Sequence, residues 1–172
     1  TCDLFYVLQL NDQGETKGED GLGNLKSHTV GAYVKGKICS QIDYGGTFAY
    51  QFGDWGQDHI DAYGLNASAG YTFAHPWKPR LGLEYSYASG DSDPTDGVRE
   101  TFSAVLGAVD TKYGRVNLFN WMNLQDYQAA FSIAPTKRLK ILLEGHHFRL
   151  ADDNDAWYWA SGKAMGRDMS GS

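Results

Sequence analysis

Between Gln41 and Phe52 apolar and polar side chains alternate. Ile42, Tyr44, Phe48, Tyr50 and Phe52 share one parity, and Gln41, Asp43, Thr47 and Gln51 share the other. A strand points successive side chains to opposite faces, so the spacing predicts a strand with one aromatic and aliphatic face and one polar face. The next segment repeats the pattern, with Tyr63, Leu65, Ala67, Ala69, Tyr71 and Phe73 opposed by Gly64, Asn66, Ser68, Gly70 and Thr72. Each run reaches about 10 residues, longer than the usual five or six of a soluble strand and enough for a tilted strand to cross a bilayer. From Arg80 to Ser89, Leu81, Leu83, Tyr85 and Tyr87 stand against Arg80, Gly82, Glu84 and Ser86, which puts charge on the polar face. Weaker alternation marks Thr29 to Lys35 and Asp126 to Ile133. Asp3 to Leu10 and Leu139 to Leu150 are apolar on both parities for part of their length, although Leu139, Ile141 and Leu143 oppose Lys140 and Glu144.

The connections carry a second signal, because outer-membrane barrels join strands by short turns on one side and longer loops on the other. The sequence predicts a loop at Asn11 to Asn24, a turn near Gly36 to Ser40, and a loop at Gly53 to Gln57 that is short for its side. It then predicts a turn at Ala74 to Pro79, a long loop from Gly90 to about Asn117, and a turn at Ala134 to Lys137. Both Pro-bearing turns fall on one side, in keeping with proline's place in turns. Aromatic residues gather near predicted strand ends, at Tyr50, Phe52, Trp55, Tyr71, Phe73, Trp77, Trp121 and Trp157, where an amphipathic ring sits well at headgroup level. Capping the core of a soluble sandwich is the competing use of such rings. The length of the apolar faces favours the girdle.

Composition changes the picture in two places. Among 172 residues there are 21 Gly, 11 Tyr, 8 Phe and 5 Trp, and runs of strong helix formers are scarce, which points to an all-β chain. No apolar run approaches the ~18 residues of a membrane-spanning helix, and the mean hydropathy is −0.46. That value is compatible with barrel strands, whose lipid-facing and lumen-facing residues average out. The net charge of −6 and the lack of a basic stripe argue against nucleic acid as a partner. The apolar stretch Leu4 to Leu10 has neither a charged flank before it nor a small-residue cleavage site after it, and reads as mid-barrel sequence rather than a leader. The two cysteines, Cys2 and Cys39, are either a disulfide of an oxidising compartment or two unrelated thiols.

Little catalytic or metal chemistry is signalled. Asp91, Asp93, Asp96 and Glu100 lack the spacing of an EF-hand, and these residues, like Asp152, Asp153 and Asp155, read as solvated acidic loops, with hard divalent cations bridging the loops, or bridging them to lipopolysaccharide, as the secondary reading. His146 and His147 are adjacent on a strand and point to opposite faces, which disfavours a shared ion. The GxSxG elbow is absent, and no Ser or His stands in a local catalytic signature. The charges on the polar parities are the better candidates: Lys35, Asp43, Arg80, Glu84, Asp126, Lys140 and Arg149 are expected to face a lumen and contact solute. A purely structural ladder of inward ion pairs is the alternative role for them.

The segment Glu84 to Gly97, EYSYASGDSDPTDG, followed by Glu100-Thr101-Phe102, together with Asn117 to Asp126 (NLFNWMNLQD), Ala134 to Leu139 (APTKRL) and His146 to Asp152 (HHFRLAD), resembles the alginate export family of bacterial outer-membrane barrels. The resemblance is best from about Arg80 to Tyr158 and weaker before it. It implies an antiparallel transmembrane β-barrel in the bacterial outer membrane, of which residues 1–172 form part of a single domain. Family barrels are considerably longer, so about seven strands look like a fragment whose remaining strands lie elsewhere, since an open sheet edge is not tolerated in lipid. The expected function is a channel of the alginate export type, with passive passage of a hydrophilic solute, an anionic polysaccharide among the candidates. The expected partners are that solute, outer-membrane lipid and lipopolysaccharide. No cofactor and no enzymatic activity are implied. A polyanion conduit should carry excess Arg and Lys in its lumen, whereas the assigned positions mix both signs, so the resemblance alone does not name the solute. A soluble carbohydrate-binding β-sandwich or small barrel is the alternative, and an outer-membrane barrel hydrolase a third reading.

Overall fold

The computed structural model describes residues 1–104 and 118–165. They contain no helix. The principal strands are β1 (Cys2–Lys17), β2 (Leu22–Lys37), β3 (Ile42–Gly56), β4 (Asp58–Thr72), β5 (Arg80–Ala88), β7 (Leu124–Thr136) and β8 (Leu139–Leu150). They pair in chain order as an antiparallel meander, while the short β6 (Val98–Arg99) adds parallel to β4. A separate two-stranded ribbon joins β9 (Trp157–Tyr158) to β10 (Ala164–Met165). The sheet is not closed, and β1 and β8 are its two edges.

The sheet is inverted relative to a soluble protein. On the polar parity Gln51 is only 2% exposed, and Thr29, Asn66 and Ser86 are buried with it. On the apolar parity Leu83 is 62% and Leu143 70% exposed, beside exposed Tyr63, Tyr71, Phe48 and Phe131. No second sheet covers that apolar face among the described residues, which removes the packing a soluble sandwich requires. A half-buried antiparallel sheet in water shows the reverse exposure. The result is an all-β, partly formed up-and-down barrel, as the alternation predicts.

The outer face also has the vertical dimension of a bilayer. Tyr63 and Phe73 lie on the same side of the β4 hairpin ten positions apart, which is ~33 Å along a strand and ~25 Å in height at a tilt of ~40°. Tyr50, Phe52, Tyr71 and Phe73 occupy this face, and Trp77 lies exposed in the β4–β5 turn. Trp55, Trp121 and Trp157 do not: Trp55 donates to the Lys17 carbonyl at 3.0 Å, Trp121 donates to the Tyr87 carbonyl at 3.0 Å and packs on Phe102, and Trp157 packs on Phe119 beside Leu124. Those three serve the loop end of the polar face instead of a girdle.

Several connections differ from expectation. The predicted loop at Asn11 to Asn24 is mostly strand, since β1 continues to Lys17 and β2 begins at Leu22, with a register shift between Asn11 and Thr16. The predicted loop at Gly53 to Gln57 is also strand up to Gly56, with β4 resuming at Asp58. Polar side chains do not end a strand there, because ladder hydrogen bonds satisfy the backbone whatever the side chains, and the hairpins protrude beyond the apolar band. Loop and turn lengths therefore do not alternate for the first hairpins. The connection after β5 is long as expected, and its residues 105–117 lie outside the described residues. Its first part, 89–104, does not extend into solvent but folds over the polar face. There Phe102 joins a buried cluster with Leu25, Ala49, Ile60, Ala62 and Ala88. Cys2 and Cys39 are exposed free thiols, which overturns the disulfide alternative.

Candidate functional site

Register places the charged residues in rows across the polar face. One row runs Lys35, Gly45, Ser68, Glu84, Gln128, His146. The next toward the turns runs Lys37, Asp43, Gly70, Gly82, Ala130, Glu144. The Arg80 guanidinium reaches over β4 to hold Asp43 in a two-pronged ion pair, Nε to Oδ2 at 3.0 Å and Nη2 to Oδ1 at 2.6 Å. The strand between them is crossed at Gly70, where a Cβ would come within 2.0 Å of Nη2, so only glycine leaves room for the guanidinium. Such paired, charge-assisted hydrogen bonds are the strong kind and fix both groups in place.

Beyond this pair lies a groove of about 300 Å³ lined by Ser68, Arg80, Glu84, Gln128, Lys140 and Glu144. Its acids are engaged. Glu84 accepts from Asn66 Nδ2 at 2.6 Å, an amide that also donates to Ser86 at 2.7 Å, and Glu144 accepts from Gln128 at 3.2 Å. Further toward the loops Asp126 Oδ2 lies 2.9 Å from His146 Nδ1, and that imidazole stacks on Phe148. His147 belongs to the other face, where it meets Tyr127. Lys35 is exposed, with Nζ 5.7 Å from the Tyr33 ring.

Six of the seven residues expected on the polar face are therefore on it: Lys35, Asp43, Arg80, Glu84, Asp126 and Lys140. Arg149 is not. It pairs with Gln125 in the row of the outer face, because β8 runs without interruption from Ile141 and keeps its odd positions on the side of Leu139, Ile141 and Leu143.

The residues that shape the loop end of this face escaped sequence reasoning. Gln51 clamps the inward-folded segment by its side-chain amide, donating to the Ser103 carbonyl at 2.7 Å and accepting from the Ser103 N–H at 2.8 Å, while also donating to Thr29 at 3.0 Å. Phe102 lies over Gly64, where a Cβ would sit 2.9 Å from the ring. Ser89 ties the segment's two ends: its hydroxyl donates to the Glu100 carbonyl at 2.6 Å, and its carbonyl accepts the N–H groups of Phe102 and Asn123. Asn123, fully buried with φ 44°, donates to the Asp152 and Ala156 carbonyls and accepts the Asp152 N–H. Asparagine is among the few residues that tolerate this left-handed conformation. The glutamine was visible as one more polar position of β3, but its partner, 52 residues away, was not.

The acidic loops are not uniformly solvated, contrary to the reading above. Asp91 and Asp155 are buried, whereas Asp93, Asp96 and Asp153 are exposed. With Glu19 and Asp58 they line a second recess, together with Lys17, Arg99 and Tyr158. Burial, then the neighbouring Glu19 carboxyl and the charge of Asp155, push the Asp91 carboxyl up to about 7. Burial and the charge of Asp155 likewise raise the Tyr158 phenol. Among the described residues no group of three or more His, Cys, Asp and Glu side chains is arranged to hold a metal ion.

What this arrangement offers is a polar wall with paired charges, a groove, and an inward-folded segment at one end. A family model described as Alginate export matches residues 4–172. No curated protein and no solved structure matches significantly. The match spans nearly the whole chain, well beyond the stretch from Arg80 to Tyr158 that carries the resemblance in sequence. Its family is one of outer-membrane transport barrels for polysaccharide export and not an enzyme family. With this match and this sheet, the chain belongs to the alginate export family.

Proposed function

We propose that this chain forms part of the wall of an outer-membrane conduit, through which a hydrophilic solute passes passively along the polar face. The observation that carries the reading is the inverted exposure of the sheet, with tyrosines and leucines outward and Gln51, Asn66, Ser86 and Asp126 inward. In a bilayer the outward face meets hydrocarbon and headgroups, and lipid and lipopolysaccharide are its partners. The unpaired ladder groups of β1 and β8 have no water to satisfy them there, so further strands complete the barrel.

The polar face carries charges of both signs, and membership of the alginate export family favours a polysaccharide as the solute. Asp43 is held by Arg80 and Asp126 by His146, while Glu84 accepts from Asn66 and Glu144 from Gln128, neutral amides whose hydrogen bonds fix a carboxylate without cancelling its charge. Lys35 and Lys140 form no ion pair among the described residues, which leaves their charges for solute. Planar-bilayer recording of the full-length protein tests the reading. Discrete conductance is expected, and absence of conductance across a range of salts refutes the reading.

A further inference from the structure

Asp91 sits where three connections meet at the loop end. Its backbone N–H donates to Asp155 Oδ2 at 3.1 Å. The Asp155 carboxylate is saturated, because Oδ2 also accepts the Thr101 hydroxyl at 2.7 Å, and Oδ1 accepts the Ala156 N–H and the Tyr158 hydroxyl, each at 2.6 Å. Four donors thus converge on that carboxylate. On the other side Glu19, in the tip of the β1–β2 hairpin, accepts the Gly97 N–H at 3.2 Å. The tip itself is fixed by Asp58, which accepts the N–H groups of Glu19 and Asp20 at 2.6 and 3.0 Å.

The Asp91 carboxyl is thus set between two other carboxyl groups. It is 5% exposed, lines the recess, and its Oδ1 has no donor. The Asp93 backbone favours its charged form. Of the cations around the recess, Arg99 is laid over the Trp55 ring at 4.2 Å, and neither it nor Lys17 pairs with Asp91. Two ionised carboxylates at such a buried contact repel one another without solvent to screen them. One proton shared between Asp91 and Glu19 removes the repulsion and supplies the missing donor.

We propose that Asp91 and Glu19 form a proton-dependent latch that fastens the inward-folded segment 89–104 to the tip of the β1–β2 hairpin, and that loss of the shared proton loosens the segment from the wall. The part of the proposal that concerns passage, a wider conduit at higher pH, rests on the conduit reading above. The direction follows from linkage. Asp91 holds its proton up to about 7 in the fastened form, and in the released form it titrates as an ordinary carboxyl near ~4. The fastened form therefore binds the extra proton. Fastening is strongest at acid pH, weakens up to about tenfold per pH unit between those values, and levels off above the upper one. The Gln51 clamp and the Phe102 cluster set how much closure remains when the proton has left.

Hydrogen exchange on the full-length protein in lipid tests the latch through the amides of Phe102 and Ser103, which donate to the Ser89 carbonyl and to Gln51. From about pH 5.5 to about pH 8, protection corrected for the intrinsic rate should fall about 30-fold in the wild type. It should change less than about twofold in Asp91→Asn, whose carboxamide donates to Glu19 without titrating. Glu19→Gln should weaken the response without abolishing it, because the burial of Asp91 remains. An equal pH response in wild type and Asp91→Asn, or none in the wild type, overturns the latch. So does a loss of protection at pH 5.5 on adding a chelator, since a cation would then be standing where the proton is placed. Bilayer conductance separates the two proposals: exchange that switches in a protein that never conducts leaves the latch standing and refutes the conduit.

Discussion

Leu83 offers the sharpest test of which face meets lipid. It lies in the row of Ala69 and Ala129, close to midway between the heights of Tyr63 and Phe73, and its side chain is exposed on the outer face. At the middle of a hydrocarbon layer an arginine costs about 2–4 kcal/mol relative to an apolar residue. Leu83→Arg should therefore lower the folding equilibrium of the full-length protein in bilayer vesicles by roughly 30-fold to 1000-fold, since each ~1.4 kcal/mol is tenfold. The paired control is Gln128→Arg, one row away on the polar face beside the groove. There the guanidinium reaches water and the change should stay within about 0.5 kcal/mol, as for an ordinary surface substitution. Urea titration of folding into vesicles, followed by tryptophan emission or by gel mobility of the folded form, measures both. If Leu83 met water instead, Leu83→Arg would also fall within that small range. Equal and small effects at the two positions would refute the orientation of the sheet, and with it the conduit.

Other outcomes follow from particular contacts. Gln51→Ala removes both bonds to Ser103 and leaves that backbone without its partner, so the segment 89–104 should be destabilised by about 1–3 kcal/mol, read as faster exchange at Ser103 with little change in the strands. Arg80→Ala frees the Asp43 carboxylate on the polar face, and the reversal potential in a salt gradient should move toward the cation. Arg149→Ala should leave that potential unchanged, because Arg149 lies in the row of the outer face. A shift as large as that of Arg80→Ala would restore Arg149 to the lumen.

How much of this was legible in the chain differs from residue to residue. The alternation from Gln41 to Ser89 determined strands, their two faces and their bilayer-scale length, because side-chain parity is a local property with a period of two. Arg149 was legible too. Leu139, Ile141 and Leu143 already set the outward parity of β8, and counting on by two leads to Arg149. The hairpin tips at Asn11 to Asn24 and Gly53 to Gln57 misled because polarity was taken for loop, whereas a ladder persists wherever two strands remain in register.

Tertiary structure alone decided the rest. The Asp43–Arg80 pair skips a strand, so it depends on register across three strands and on the empty space at Gly70. That an acidic loop turns inward follows from Phe102 finding a small apolar patch of Leu25, Ala49, Ile60, Ala62 and Ala88, residues that four different strands contribute. Sequence spacing carries what a side chain does to its own strand. It does not carry which distant groups close packing will press together, and the burial of Asp91 against Glu19 is a consequence of that packing.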